Sequence, residues 1–134
     1  MDIQRADSID ALRELARRRL PRPVFDFIDG AADDEVTVRR NREDLAAVEL
    51  APRILRDVSR RDLKTEILGK SVGFPLIIGP TGLPAMGWPR ADAALARAAT
   101  AFNVPFVIST PASMRLEDVA DAAPGARLWF QLYI

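Results

Sequence analysis

Three apolar runs constrain this chain more than any other feature. They are FPLIIG (74–79), NVPFVIST (103–110) and RLWFQLYI (127–134). Their starts lie roughly 25 to 30 residues apart, the size of one βα unit. Between them lie RADAALARAATAF and RLEDVADAA, whose apolar spacing predicts one longer and one shorter helix. The runs are apolar along their length instead of alternating, as strands buried on both faces are, and such strands belong to parallel α/β sheets. Two architectures fit: a doubly wound sheet, or the opening of a (β/α)8 barrel. The turn after the first run, PTGLPAMGWP, has no G-x-G-x-x-G and is no P-loop, which weighs against a nucleotide-binding doubly wound fold.

The N-terminal part has a different texture. Ser8 can cap a helix carrying Ile9, Leu12, Leu15 and Ala16 at helical spacing. Pro21 suits the first turn of a second helix through VFDFIDG, closed by Gly30. Asp33 and Asp34 open a third, running towards Asn41. LKTEILGKSVGF reads as two short strands around Gly69 and Lys70, a hairpin. The expected organisation is a helical segment, 1–62, followed by hairpin and three barrel strands with two helices, 63–134. The basic cluster RRRLPR (17–22) could meet an anionic ligand, or be a solvated helix end and turn; nearby acidic residues favour the second.

Composition removes several functions. Of 134 residues, 19 are Lys or Arg and 19 Asp or Glu, so balanced charge gives no case for a nucleic-acid or membrane-surface binder. There is no cysteine, hence no disulfide, thiolate nucleophile or Cys-ligated metal, and without histidine a transition-metal site would need carboxylates alone. No metal site is expected. The N-terminus has no apolar core of signal-peptide type, and FPLIIGPTGLPAMGW is too interrupted by Pro and Gly to span a bilayer. A cytoplasmic protein is the expectation.

In both architectures ligands bind at the carboxyl ends of parallel strands. That rule selects Gly79, Pro80, Thr81 and Gly82 after the first run, Ser109 and Thr110 ending the second, and Gln131 and Tyr133 in the third. Gln131 and Tyr133 are two apart, hence on one face of a strand. Small residues let a flat ligand approach the backbone, and Thr, Ser and Gln offer neutral donors and acceptors. The set suits a planar, uncharged, hydrogen-bonding ring system. The competing readings are helix caps for Ser and Thr, and satisfied core polar groups for Gln131 and Tyr133.

Taken together, LPRPVFDFIDGAADDEVTVRRN, PRILRDVSRRDLKTEILG, PLIIGPTGL, ALARAATAFNVPFVIST and WFQLY resemble, in order along essentially the whole chain, the FMN-dependent α-hydroxy-acid dehydrogenase/oxidase family. Its members act on mandelate, lactate and glycolate, and the VSRR, GPTGL, WP and LWFQLY segments look most similar to the mandelate dehydrogenases. The resemblance implies a TIM barrel with FMN at its C-terminal mouth. It places Pro80, Thr81 and Gly82 against the flavin ring and gives Ser109 and Gln131 hydrogen bonds to it. Tyr133 then contacts the substrate's hydroxyl or carbonyl oxygen. The implied reaction oxidises an (S)-2-hydroxy acid to the 2-oxo acid.

The chain departs from the family pattern at two points. Phe27 stands where the family usually has a tyrosine that helps hold the substrate carboxylate; a lost charge-assisted hydrogen bond weakens binding by about 1.5–3 kcal/mol. Alternatively Phe27 is plain core. The family's catalytic histidine, in a Ser-Asn-His-Gly stretch, its carboxylate-binding arginine and its flavin-contacting lysine match nothing in these residues. A whole barrel takes about 250 residues and commonly keeps its phosphate site after strands seven and eight. The expectation is therefore an N-terminal piece of such a barrel. It should be inactive alone, bind FMN weakly if at all, and self-associate unless a companion C-terminal chain completes it. One half of a split enzyme and a non-enzymatic remnant are the alternatives.

Overall fold

The computed structural model describes Ile3 and residues 6–134. The chain divides into two compact units, 1–57 and 58–134.

The first unit contains α1 (Ile9–Arg19), α2 (Arg22–Asp29) and α3 (Val36–Ala46). Ser8 caps α1 as the sequence predicts, accepting the Ala11 N–H at 3.2 Å. Its helical stripe is only partly covered: Leu15 is buried, whereas Ile9 is 80% exposed. Pro21 is the cap residue of α2, just before its first turn. Gly30 closes α2, yet in extended backbone; it is needed because a Cβ there would lie 2.8 Å from the Asp26 carbonyl oxygen. The third helix starts at Val36, later than expected, because Asp33 and Glu35 adopt left-handed backbone, and it continues past Asn41 to Ala46. The basic cluster is a solvated helix end. Arg17 pairs with Glu14 at 2.8 Å, Arg22 lies 3.5 Å from Asp26, and three arginines occupy the last turn of α1. Cations are stabilised there by the helix dipole.

The second unit begins with an antiparallel hairpin, β1 (Thr65–Ile67) and β2 (Lys70–Val72), with Ile67 opposite Lys70. The connecting residues are Leu68 and Gly69, both at positive φ as a tight two-residue turn requires. The turn thus sits one residue earlier than the sequence suggested, and Lys70 belongs to β2. Then come a 3-10 turn (Pro84–Met86), α4 (Ala91–Ala101), β3 (Phe106–Ile108), α5 (Leu116–Ala122) and β4 (Leu128–Phe130). β3 and β4 pair in parallel, Phe106 opposite Leu128 and Ile108 opposite Phe130. The chain between them runs through α5, as a parallel pair demands.

The first apolar run is not a regular strand. Only Ile78 joins the sheet, by a parallel bridge to Phe106, with Ile78 N–H donating to Pro105 C=O and Val107 N–H donating to Ile78 C=O, both at 2.9 Å. Pro75 has no N–H to give a ladder, and the chain bends at residues 73–75. Burial on both faces is likewise incomplete: Leu76 is 45% and Phe130 51% exposed. What is fully packed is the face towards the helices. Ala96 and Ala99 of α4, Val119 of α5, and Val104, Phe106, Ile108 and Ala123 form one buried cluster. Alanines on α4 allow close approach to β3. Phe74 packs edge-on against Phe102, ring centroids 6.2 Å apart. Among the described residues the sheet is an open α/β arc, not a closed barrel.

Candidate functional site

The carboxyl ends of β3 and β4 bring two of the selected side chains together. Ser109, one residue past β3 and 3% exposed, donates from Oγ to Gln131 Oε1 at 3.2 Å. Gln131 follows β4 directly, and its backbone N–H donates to Ile108 C=O at 2.8 Å, which holds it in register with β3. Ser109 is therefore no helix cap. Gln131 itself is half-buried.

The segment after Ile78 follows the residue that bridges to β3. Pro80, Thr81 and Gly82 are exposed. A Cβ on Gly79 would meet nothing within 4 Å, so that side of the backbone is open. Gly82 is tighter: its Cβ would come 3.2 Å from Cγ of Pro111. Leu83, at positive φ, donates its N–H to Pro111 C=O at 2.8 Å, and Ala85 N–H donates to Ser113 Oγ at 3.0 Å. These bonds tie the segment to the loop after β3. That loop is fixed in turn by Asp92, 1% exposed in the first turn of α4, which accepts the Ser113 N–H at 3.1 Å. Sequence reasoning missed Asp92. A lone acidic residue in an otherwise alanine-rich first turn is the signal that could have found it.

Two selected residues are placed differently. Tyr133 lies beyond the end of β4 and is 64% exposed. Its backbone N–H donates to Thr110 Oγ1 at 3.0 Å. Phe27, in the first unit, is 68% exposed, so it is not core; Phe25 is the buried face of α2.

The strand-end set is electrically neutral. No charged side chain occurs among Pro80, Thr81, Gly82, Ser109 and Gln131. An open backbone face at Gly79 and a neutral polar pair fit a flat, uncharged ring. A concavity of about 540 Å³ is lined by Arg90, Met114, Asp118, Asp121 and Ala122 and shares no residue with this set. Its carboxylates suit an uncharged ring less well, and Asp118 is committed to Arg115, whose hydrogen bond holds its carboxyl below the ordinary range. Among the described residues no group of three or more His, Cys, Asp or Glu could hold a metal ion, and no helix is long and apolar enough to cross a membrane.

In the first unit the strongest polar contact is the bidentate pair of Arg13 with Asp29. Arg13 Nη2 lies 2.7 Å from Asp29 Oδ2, and Arg13 also stacks over Phe25. That hydrogen bond holds the Asp29 carboxyl below its usual value and raises that of Arg13.

Comparison with known proteins bears on all of these residues. A sequence model of FMN-dependent dehydrogenases matches residues 16–134. The (S)-mandelate dehydrogenase of Pseudomonas putida is 47% identical over 127 residues, covering 95% of this chain and 32% of that protein. 2-Hydroxyacid oxidase 2 of Bos taurus is 43% identical over 122 residues, covering 91% of this chain and 35% of the oxidase. A crystal structure of a soluble mutant of the membrane-associated (S)-mandelate dehydrogenase from Pseudomonas putida superposes with a TM-score of 0.87 at 48% identity, over 93% of this chain and 36% of that one. The chain thus spans about a third of the length of the relatives it matches.

Proposed function

This chain belongs to the FMN-dependent dehydrogenase family, and we propose that it supplies the flavin-ring face of an oxidoreductase acting on (S)-2-hydroxy acids. In this reading the open α/β arc is the first part of a (β/α)8 barrel, and its strand ends form part of the barrel mouth. The observation that carries the reading is the Ser109–Gln131 pair at the carboxyl ends of adjacent parallel strands.

The residues divide the work. Pro80, Thr81 and Gly82 offer backbone against which a ring can lie. Ser109 orients the Gln131 amide, which then hydrogen-bonds the ring's polar edge. Tyr133 presents a phenol to the substrate's hydroxyl or carbonyl oxygen. FMN held there would supply the electron acceptor that the oxidation needs. A base must stand within hydrogen-bond reach of the proton it removes. These 134 residues contain no histidine, so we assign that role, and the phosphate site, to further chain. The exposed Phe130 and Leu132 at β4 are the surface on which such chain would pack, whether covalently continuous or a separate companion.

The test is anaerobic addition of (S)-mandelate, L-lactate or glycolate to the protein whose reading frame contains these residues. The expected result is bleaching of the oxidised-flavin band with an equal amount of 2-oxo acid. A protein that purifies without flavin, or whose flavin none of the three acids reduces, contradicts the reading. The 134 residues alone, mixed with FMN, are expected to give no 2-oxo acid above the free-flavin background.

A further inference from the structure

We propose that Thr110 is a positioning residue of this site. Its hydroxyl holds the backbone of Gln131 and Tyr133 in register with β3 after β3 itself has turned away. The argument comes from the parallel ladder. In such a ladder, alternate residues of one strand donate to a residue on the neighbour and accept from the residue two further along. Phe106 N–H donates to Arg127 C=O at 3.0 Å, and Ile108 C=O accepts from Gln131 N–H at 2.8 Å. The next residue in the alternation is Thr110. Were the strand to continue, Thr110 N–H would donate to Gln131 C=O, and Thr110 C=O would accept from Tyr133 N–H.

The strand does not continue. β3 ends at Ile108, and a turn closes from Ser109 C=O to Ala112 N–H at 3.0 Å, around Pro111. Yet both rungs are made. Thr110 Oγ1 donates to Gln131 C=O and accepts from Tyr133 N–H at 3.0 Å. A hydroxyl is both donor and acceptor, so one side chain replaces two backbone groups. Valine, of the same shape, replaces neither; serine replaces both. The main chain after β3 is thereby free to turn and meet Leu83 and Ala85, while 131–133 stays aligned. Thr110 is exposed, so its hydroxyl acts on this segment and not on the core.

The positional claim stands on these bonds, and its consequence for flavin and substrate rests on the function proposed above. Amide hydrogen exchange on the whole 134-residue chain tests the first. In Thr110→Val, the Tyr133 amide is expected to exchange about fivefold faster, as loss of one hydrogen bond implies. Thr110→Ser restores it, and the amides of Phe106 and Val119 stay unchanged in both. An unchanged Tyr133 amide in Thr110→Val overturns the claim. So does equal acceleration at Phe106 and Val119, which would make Thr110 a general stabiliser. The flavin-loaded protein containing these residues tests the second. Thr110→Val is expected to shift the flavin's visible band in the direction that Gln131→Leu does, to raise KM for the hydroxy acid, and to add nothing to the band shift of the double variant. If Gln131→Leu leaves the flavin untouched, the flavin reading fails and the exchange result decides Thr110 by itself. If Gln131→Leu shifts the band and Thr110→Val does not, positioning fails.

Discussion

The two units solve the problem of stability differently. In residues 58–134 a contiguous cluster of fully buried side chains, from Ala96 to Ala123, joins α4, β3 and α5. In residues 1–57 Leu15 and Phe25 are the buried apolar side chains among those described, and α3 buries none. There the bidentate Arg13–Asp29 pair and its cation–π contact with Phe25 hold α1 to α2. Ser109 and Gln131, which need fixed geometry, stand on the packed unit. Phe27 stands, exposed, on the thinly packed one. A site held to fractions of an ångström needs rigid elements beneath it.

Truncating the core should give the largest contrast. Phe106→Ala is expected to destabilise the second unit by about 3–5 kcal/mol, whereas Leu15→Ala in the first should lie near the low end of its class, about 2 kcal/mol. Both tryptophans, Trp88 and Trp129, belong to the second unit, so their emission during denaturation follows that unit. Helical circular dichroism at low denaturant follows Leu15→Ala. Equal effects would erase the contrast. Next in size is Gly73→Ala, because its Cβ would fall 2.4 Å from the Phe102 carbonyl oxygen, a backbone atom that cannot swing aside. We expect a loss of about 1–3 kcal/mol by the same fluorescence measurement.

The smallest effect sharpens the comparison from the other side. The Arg13 hydrogen bond lowers the Asp29 carboxyl in the folded chain. A group whose folded value lies below its unfolded one stabilises at pH above the unfolded carboxylate range, and that contribution is lost as pH falls through the lowered value. Acidification should therefore loosen α1 and α2 while the uncharged cluster around Phe106 holds. Asp29→Asn should flatten this acid dependence of helicity and leave the tryptophan signal unaffected. An acid response of equal size in the tryptophan signal would break the distinction.

Much of this was legible in the sequence, for physical reasons that also mark where reading stopped. The α4 and α5 helices were found because their apolar periods agree with their packing, and β3 and β4 because short apolar runs between helices mark strands. Ser8 was found because a cap is a local device. FPLIIG misled because Pro75 and one-sided neighbours reduce a strand-like run to a single bridge at Ile78. The start of α3 was misplaced because left-handed backbone at Asp33 and Glu35 has no compositional signature. Ser109 and Gln131 could be selected from the strand-end rule, but the partner of Asp92 and the double role of Thr110 could not. Those depend on which atoms meet across 21 or more residues of chain.

The central claim is that the strand ends meet the ring of a flavin and not its phosphate. The most direct measurement is amide NMR of the 134-residue chain titrated separately with FMN, riboflavin and inorganic phosphate. The account predicts that FMN and riboflavin perturb the same amides, at Gly79, Thr81, Gly82, Ser109 and Gln131, and that phosphate perturbs none of them. Perturbation by phosphate at these residues, or flavin-induced shifts confined to the concavity of Arg90, Asp118 and Asp121, would contradict it.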